Sequence, residues 1–240
     1  MKALSILFLA GALLAGSAAR AQNVDEIVKK HNEAMGGTEA WNKINSLKLI
    51  GSVNANGMEI PVTVTKVKDK GMRTDIEVMG TKGFVILTPT AGWMFMPFGN
   101  GQTKPEPMTP EMLKAQQGEL DVVDDLMNYT AKGSKLEYVG KDDVDGTECF
   151  KLKLTDKDGN LTTLFIDPAT YYTIREVQKV KADGKDMEQV SNLSNFQKLP
   201  EGIVVPMSMS GDQGNTTITK VEINTVKDDN IFKPETGKGG

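Results

Sequence analysis

Apolar residues recur along this chain with two periods, and the switch between them falls near residue 46. Before it, Val24, Ile27, Val28, His31 and Met35 stand three and four apart, the spacing of one helix face. Asn23 is placed to cap that helix, with Glu26 three residues on as a capping box, and Gly36-Gly37 ends it. Thr38 to Ile44 reads as a second short helical turn, with Thr38 as cap and Trp41 and Ile44 facing inward. From Ser46 the period becomes 2, the mark of a strand with one packed and one wet face. Leu47 and Leu49 lead to a hairpin turn at Asn56-Gly57. Ile60, Val62 and Val64 return, Asp69-Lys70-Gly71 turns again, and Met72, Thr74, Ile76 and Val78 form a third strand. Gly80 to Gly83 predicts a turn into Phe84–Leu87, and Gly92 to Met96 makes a fifth strand. Five strands at such short spacing predict a meander.

The pattern breaks between Pro97 and Pro110, a stretch rich in Pro, Gly and Met. Thr109 is a helix cap with Pro110 at the first helical position. Met112, Leu113, Leu120, Val123, Leu126 and Met127 are spaced for one or two amphipathic helices that end near Gly133, with Gly118 between them. Strands then resume, separated by Asp145-Gly146, Asp158-Gly159, Asp167-Pro168, Asp183-Gly184 and Pro200-Glu201-Gly202. About eleven strands are expected in two groups, preceded by a helix and divided by a helical insertion. So large an antiparallel sheet, with helices to cover one face, predicts a mainly β (α+β) fold: an unclosed half-barrel wrapped round helices.

The first 21 residues stand outside that fold. Lys2 is followed by an apolar run from Ala3 to Ala15, and Ala19-Arg20-Ala21 is a small-x-small cleavage site. This is the pattern of a secretory signal peptide, with the mature chain expected to start near Gln22. The run is shorter than the roughly 20 residues a membrane-spanning helix needs. No cysteine lies at the cleavage site, so no lipobox is expected. A soluble periplasmic protein is expected, with residues 22–240 as one domain and no transmembrane segment. Cys149, the lone cysteine, sits in a strand pattern and leaves no internal disulfide to form.

Charge narrows the partners. The whole chain carries 28 basic and 32 acidic residues. Losing Lys2 and Arg20 leaves 26 against 32, a net charge of −6. That balance speaks against nucleic acid. Only Arg73 and Arg175 remain as arginines, so a bidentate site for phosphate or carboxylate is not expected.

The catalytic inventory is thin. His31 is the single histidine, without a visible partner for a metal or a triad. Asp156 to Asn160 lacks the ligand spacing of a calcium loop and reads as a hairpin turn. No catalytic residue, metal or cofactor is expected. The unusual residue is methionine, 13 in all. Met94, Met96, Met108, Met112 and Met127 gather with Trp93, Phe95, Phe98, Leu113, Val123 and Leu126 in the fifth strand and the insertion. Flexible, polarisable methionine suits a surface that accepts apolar ligands of varied shape, though it also fills ordinary cores. These eleven residues are the candidate ligand-binding set.

Several segments resemble the LolA/LolB-like superfamily of bacterial lipoprotein carriers. The opening Ile27-Val28-Lys29-Lys30-His31-Asn32-Glu33-Ala34-Met35-Gly36-Gly37, with Trp41 and Ile44-Asn45-Ser46-Leu47, resembles its entry helix and first strand. Val139-Gly140-Lys141, Val144-Asp145-Gly146, Phe150-Lys151-Leu152, Phe165-Ile166-Asp167-Pro168 and Phe196 to Pro206 resemble later turns and strands. The resemblance implies an unclosed barrel with a helical lid over an apolar cavity, and a soluble carrier rather than an anchored receptor. It also implies an arginine on an early strand that latches the lid, for which Arg73 is the candidate. The expected function is carriage or binding of an acyl chain or a lipidated protein, as a monomer. The alternative is a cell-envelope protein-interaction module with a filled core; an enzyme ranks third.

Overall fold

The computed structural model describes residues 24–182, 185–212 and 214–234. The expected signal peptide, the Asn23 cap, the Asp183-Gly184 turn and the Gly-rich tail lie outside the described residues. Helix α1 covers 24–34 and buries Val24, Ile27, Val28 and His31, as their spacing predicts, together with Met35 just beyond its end. Glu26 faces Lys30 one turn on at 2.8 Å. The helix ends where the Gly37 amide donates to the Asn32 carbonyl (2.8 Å) and the Gly36 amide to that of Glu33 (3.2 Å). Both glycines have positive φ, 102° and 86°, a conformation that residues with a Cβ rarely adopt. Helix α2 (Thr38–Asn42) follows and buries Trp41, with Ile44 just beyond it.

Five strands come next: β1 (Ser46–Ala55), β2 (Met58–Val67), β3 (Gly71–Val78), β4 (Thr81–Leu87) and β5 (Gly92–Phe95). Asn56-Gly57 and Met79-Gly80 both hold two positive φ angles, the two-residue turn whose twist matches the strands it joins. Strand β4 therefore begins three residues earlier than expected, and Gly83 lies inside it. The insertion contains α3 (Pro97–Asn100), the two-residue β6 (Glu106–Pro107), α4 (Pro110–Ala115) and a 3-10 turn (Gln117–Leu120). Thr109 caps α4 as expected, its side chain accepting from the Met112 amide with Pro110 in the first turn. The longer helices expected up to Gly133 do not form; Val123, Leu126 and Met127 stand in turns and bends.

The chain then runs through β7 (Lys135–Val144), β8 (Thr147–Thr155), β9 (Leu161–Ile166), β10 (Thr173–Ala182), β11 (Lys185–Lys198), β12 (Val204–Gly211) and β13 (Gly214–Ile223), ending in a 3-10 turn (Asp229–Phe232). Two meanders join where β1 pairs antiparallel with β13, in the order β6-β5-β4-β3-β2-β1-β13-β12-β11-β10-β9-β8-β7. The mainly β, antiparallel, unclosed sheet is thus present, with thirteen strands among the described residues where about eleven are expected.

Contacts divide the described residues into two compact units, the first holding those up to Gly37 with Leu126–Val190, the second those of Thr38–Asp125 with those from Ser191 on. In the first, Val24, Ile27 and Val28 of α1 pack with Leu126, Leu152, Leu154, Leu164 and Ile166. Val144, Cys149 and Phe165 form a separate cluster with Ile174 and Val177. His31 is fully buried and its Nδ1–H donates to the Tyr171 carbonyl at 2.8 Å, which makes it a core residue that ties α1 to the turn before β10. Asp156 accepts from the amides of Asp158 and Asn160, so its carboxylate closes its own hairpin turn.

Candidate functional site

The second unit contains the sheet face that resembles a binding site. Residues directly opposed on neighbouring strands share a face, so the register assigns every side chain. Leu47, Leu49 and Val53 of β1 oppose Lys66, Val64 and Ile60 of β2. Lys66, Val64 and Val62 oppose Met72, Thr74 and Ile76 of β3. Those three oppose Leu87, Val85 and Gly83 of β4, and Val85 and Leu87 oppose Met94 and Gly92 of β5. On the other side of β1, Leu47, Leu49 and Gly51 meet Ile223, Val221 and Ile218 of β13. This is one apolar face, and it is called the inner face below.

The opposite face is largely polar. Lys48 and Glu222 (3.8 Å), Arg73 and Asp75 (2.8 Å) and Lys220 and Glu222 (2.6 Å) pair across or along it. The Lys220 hydrogen bond holds the Glu222 carboxyl below the usual carboxylate range. The outer face has an apolar cluster at its β4–β5 corner, where Phe84 and Ile86 are covered by Phe232 and flanked by Trp93 and Phe95.

Burial along the inner face is graded. Leu87 is fully buried at the β4 end, and Leu47, Met72, Val62 and Ile218 are nearly so. Leu49, Val53, Val64, Ile76, Val85, Met94 and Val221 are only half-buried. At the hairpin tips Met58 is 42% exposed and Met79 90%. An apolar face left half covered is costly in water unless something occupies it.

The insertion lies on this inner face. The Phe98 ring fills the space a Cβ on Gly83 would need, and Met108 does the same over Gly92, its Sδ 2.5 Å from that Cβ position. Gln117 donates to the Thr88 carbonyl at 3.4 Å. Lys66 donates to the Asp121 carbonyl at 3.2 Å and stands 3.8 Å from the Glu119 carboxylate.

The sequence-expected set is divided by this geometry. Met94, Phe98 and Met108 come together on the inner face. Trp93 and Phe95 point the other way, into the Phe84–Phe232 cluster. Met96, Met112, Leu113 and Val123 are half-buried in or beside the insertion, and it is Val122, not Val123, that is buried. Leu126 and Met127 belong to the first unit, both essentially inaccessible, with Leu126 packed among the α1 residues. Arg73 is on the outer face: its Nη1 donates to the Ile231 carbonyl at 3.0 Å and its guanidinium stands 4.8 Å from the Phe84 ring centroid. It fastens the C-terminal turn, while the side chain that reaches the insertion from the sheet is Lys66. Sequence reasoning did not include Leu49, Val64, Ile76 and Val85 in the candidate set, although their period-2 alternation already placed them on one face.

The sequence matches no family model and no curated protein. By fold, the chain is similar to a DUF1329 family protein from Desulfovibrio piger, with a TM-score of 0.56 and 14% identity over 88% of this chain and 97% of the other. It is similar to a LolA superfamily protein from Nitrosomonas europaea (TM-score 0.52, 15% identity, 87% and 96% covered). A putative outer membrane lipoprotein-sorting protein domain from Vibrio parahaemolyticus gives a TM-score of 0.51 at 13% identity, with 87% and 95% covered. The chain has a LolA-like fold.

Proposed function

We propose that this protein is a non-enzymatic periplasmic binder and carrier of an acyl chain, free or attached to a protein. The observation that carries the reading is the inner face of β1–β5 and β13, whose apolar side chains are half covered by an insertion resting on two glycines. The fold it shares with a lipoprotein-sorting domain supports the reading. So do the signal-peptide pattern of residues 1–21 and the finding that no described helix is long and apolar enough to cross a membrane. Burial of hydrocarbon contributes about 0.8 kcal/mol per methylene. A long chain laid along the half-buried stretch would therefore bind tightly even after the ordering cost of association. The insertion would act as its cover.

The test is native mass spectrometry of protein purified from periplasm without detergent, followed by titration with a fluorescent fatty acid. Retained lipid or saturable uptake, lost in Met94→Asp, supports the carrier. A bare mass with no uptake by the wild type would sink it.

A second reading, a protein-interaction module, is favoured by one observation. Strand β7 is ten residues long and, among the described strands, hydrogen-bonds only to β8, which places it at the edge of the sheet. Its bulge between Tyr138 and Gly140 and its charges at Lys141, Asp142 and Asp143 are features that discourage strand addition, so this reading ranks second.

A further inference from the structure

Among the described residues of β1–β5 and β13, the inner face carries one charged side chain, Lys66. It is opposed by Leu47 and Met72, both buried, and its own side chain is 18% exposed. The stem of Lys66 is thus packed on apolar neighbours, while its ammonium contact to Asp121 lies exposed beside the insertion, open to a further acceptor. The acceptors it has are poor. The Asp121 carbonyl is at 3.2 Å and uncharged; the Glu119 carboxylate is at 3.8 Å, beyond hydrogen-bond reach, and 53% exposed. A charge-assisted N–H···O contact closes to about 2.8 Å when the geometry allows it. Lys66 therefore holds unused capacity for a carboxylate, at the well-buried end of an apolar face that opens towards Met58 and Met79.

We propose that Lys66 anchors the acid head of the bound amphiphile, and that the ligand class is a long-chain carboxylate held head-inward, its tail running along Val64, Ile76 and Val85 towards the hairpin tips. This rests on the acyl-binding reading above and specifies its head group. The scarcity of arginine excludes a bidentate clamp but not a single lysine point charge. In the free protein Glu119 stands in weakly for the ligand, so it competes with the head group.

The experiment compares hexadecanoic acid with hexadecan-1-ol, displacing a bound fluorescent acyl probe at pH 8, on wild type, Lys66→Met, Lys66→Arg and Glu119→Gln. The wild type is expected to prefer the acid by about tenfold, the scale of a hydrogen bond to a charged group. Lys66→Met should bring that preference close to one while keeping the alcohol's affinity, and Lys66→Arg should retain it. Glu119→Gln, an exposed change, should strengthen acid binding a few-fold. Equal affinities of wild type for acid and alcohol, or an unchanged preference in Lys66→Met, would overturn the anchor and leave acyl binding standing. Failure of either compound to displace the probe, or of the probe to bind, would overturn both.

Discussion

Met108 rests on Gly92: its Sδ stands 2.5 Å from the position a Cβ there would take, with Cγ at 3.1 Å. The insertion thus approaches the sheet through missing side chains, at Gly92 by Met108 and at Gly83 by Phe98. What each glycine would collide with differs. At Gly92 it is chiefly the end of a flexible thioether. At Gly83 it is an aromatic ring and the Phe95 carbonyl at 2.6 Å, and at Gly51 it is the Thr217 carbonyl and the Ile218 Cα at 2.9 Å.

Alanine at these glycines should rank accordingly. Gly92→Ala is expected to cost less than about 1 kcal/mol because Met108 swings aside, and Gly51→Ala about 3 kcal/mol because backbone must shift. Gly83→Ala should fall between them. Denaturant midpoints of the three variants provide the check, and an inverted order would mean that Met108 is rigidly held.

Adjacent positions on β5 should behave as opposites. Trp93 joins Phe84, Ile86 and Phe232 on the outer face, whereas Met94 faces inward beside Val85. Trp93→Ala is expected to lower stability by about 3 kcal/mol. Met94→Asp should leave the melting temperature within a few degrees while abolishing uptake of a fluorescent fatty acid, since it sets a charge on the half-buried face. Thermal melts and binding titrations on the same two variants separate the roles.

Arg73 should matter to the C-terminus rather than to the insertion. Arg73→Met keeps an apolar stem over Phe84 but loses the bond to the Ile231 carbonyl and the pairing with Asp75. A loss of about 1–2 kcal/mol is expected. Limited trypsin digestion should cut sooner after Lys227, with the cut after Lys114 unchanged.

Cys149 should report alkaline unfolding. Burial, helped by the negative charges of Asp167 and Asp143, pushes the thiol above its ordinary value of 9.0. The folded state therefore favours the protonated form. Its contribution is complete below the unfolded thiol's pKa and is lost as pH rises through the folded one. Wild type should lose more stability than Cys149→Ala between pH 8 and about pH 10.5. At pH 8 a thiol reagent should react only after denaturant is added, because Cys149 is fully buried.

Much of this architecture is legible in the chain itself. Val24, Ile27, Val28 and His31 form the buried side of α1 because helical spacing leaves them no other face. Asn56-Gly57 and Asp145-Gly146 turn where they do because both positions require positive φ. Thr109 and Pro110 start α4 for reasons of hydrogen bonding confined to four residues. The helical spacing of Leu120 to Met127 misled, since Leu126 is buried by residues of α1 a hundred positions earlier and not by a helix of its own.

The sequence by itself determined the periods, the turns and the caps, because those depend on atoms a few residues apart. Which face of β5 became core and which was left half covered was decided only by the tertiary structure. Trp93, Met94, Phe95 and Met96 are apolar on both sides, so alternation has no preference between them. The C-terminal turn that carries Phe232 covers one side, and the insertion that carries Phe98 and Met108 only partly covers the other. The same holds for Lys66, an ordinary strand lysine in the sequence, which comes to stand between Leu47 and Met72 on the apolar face only once three strands are in register.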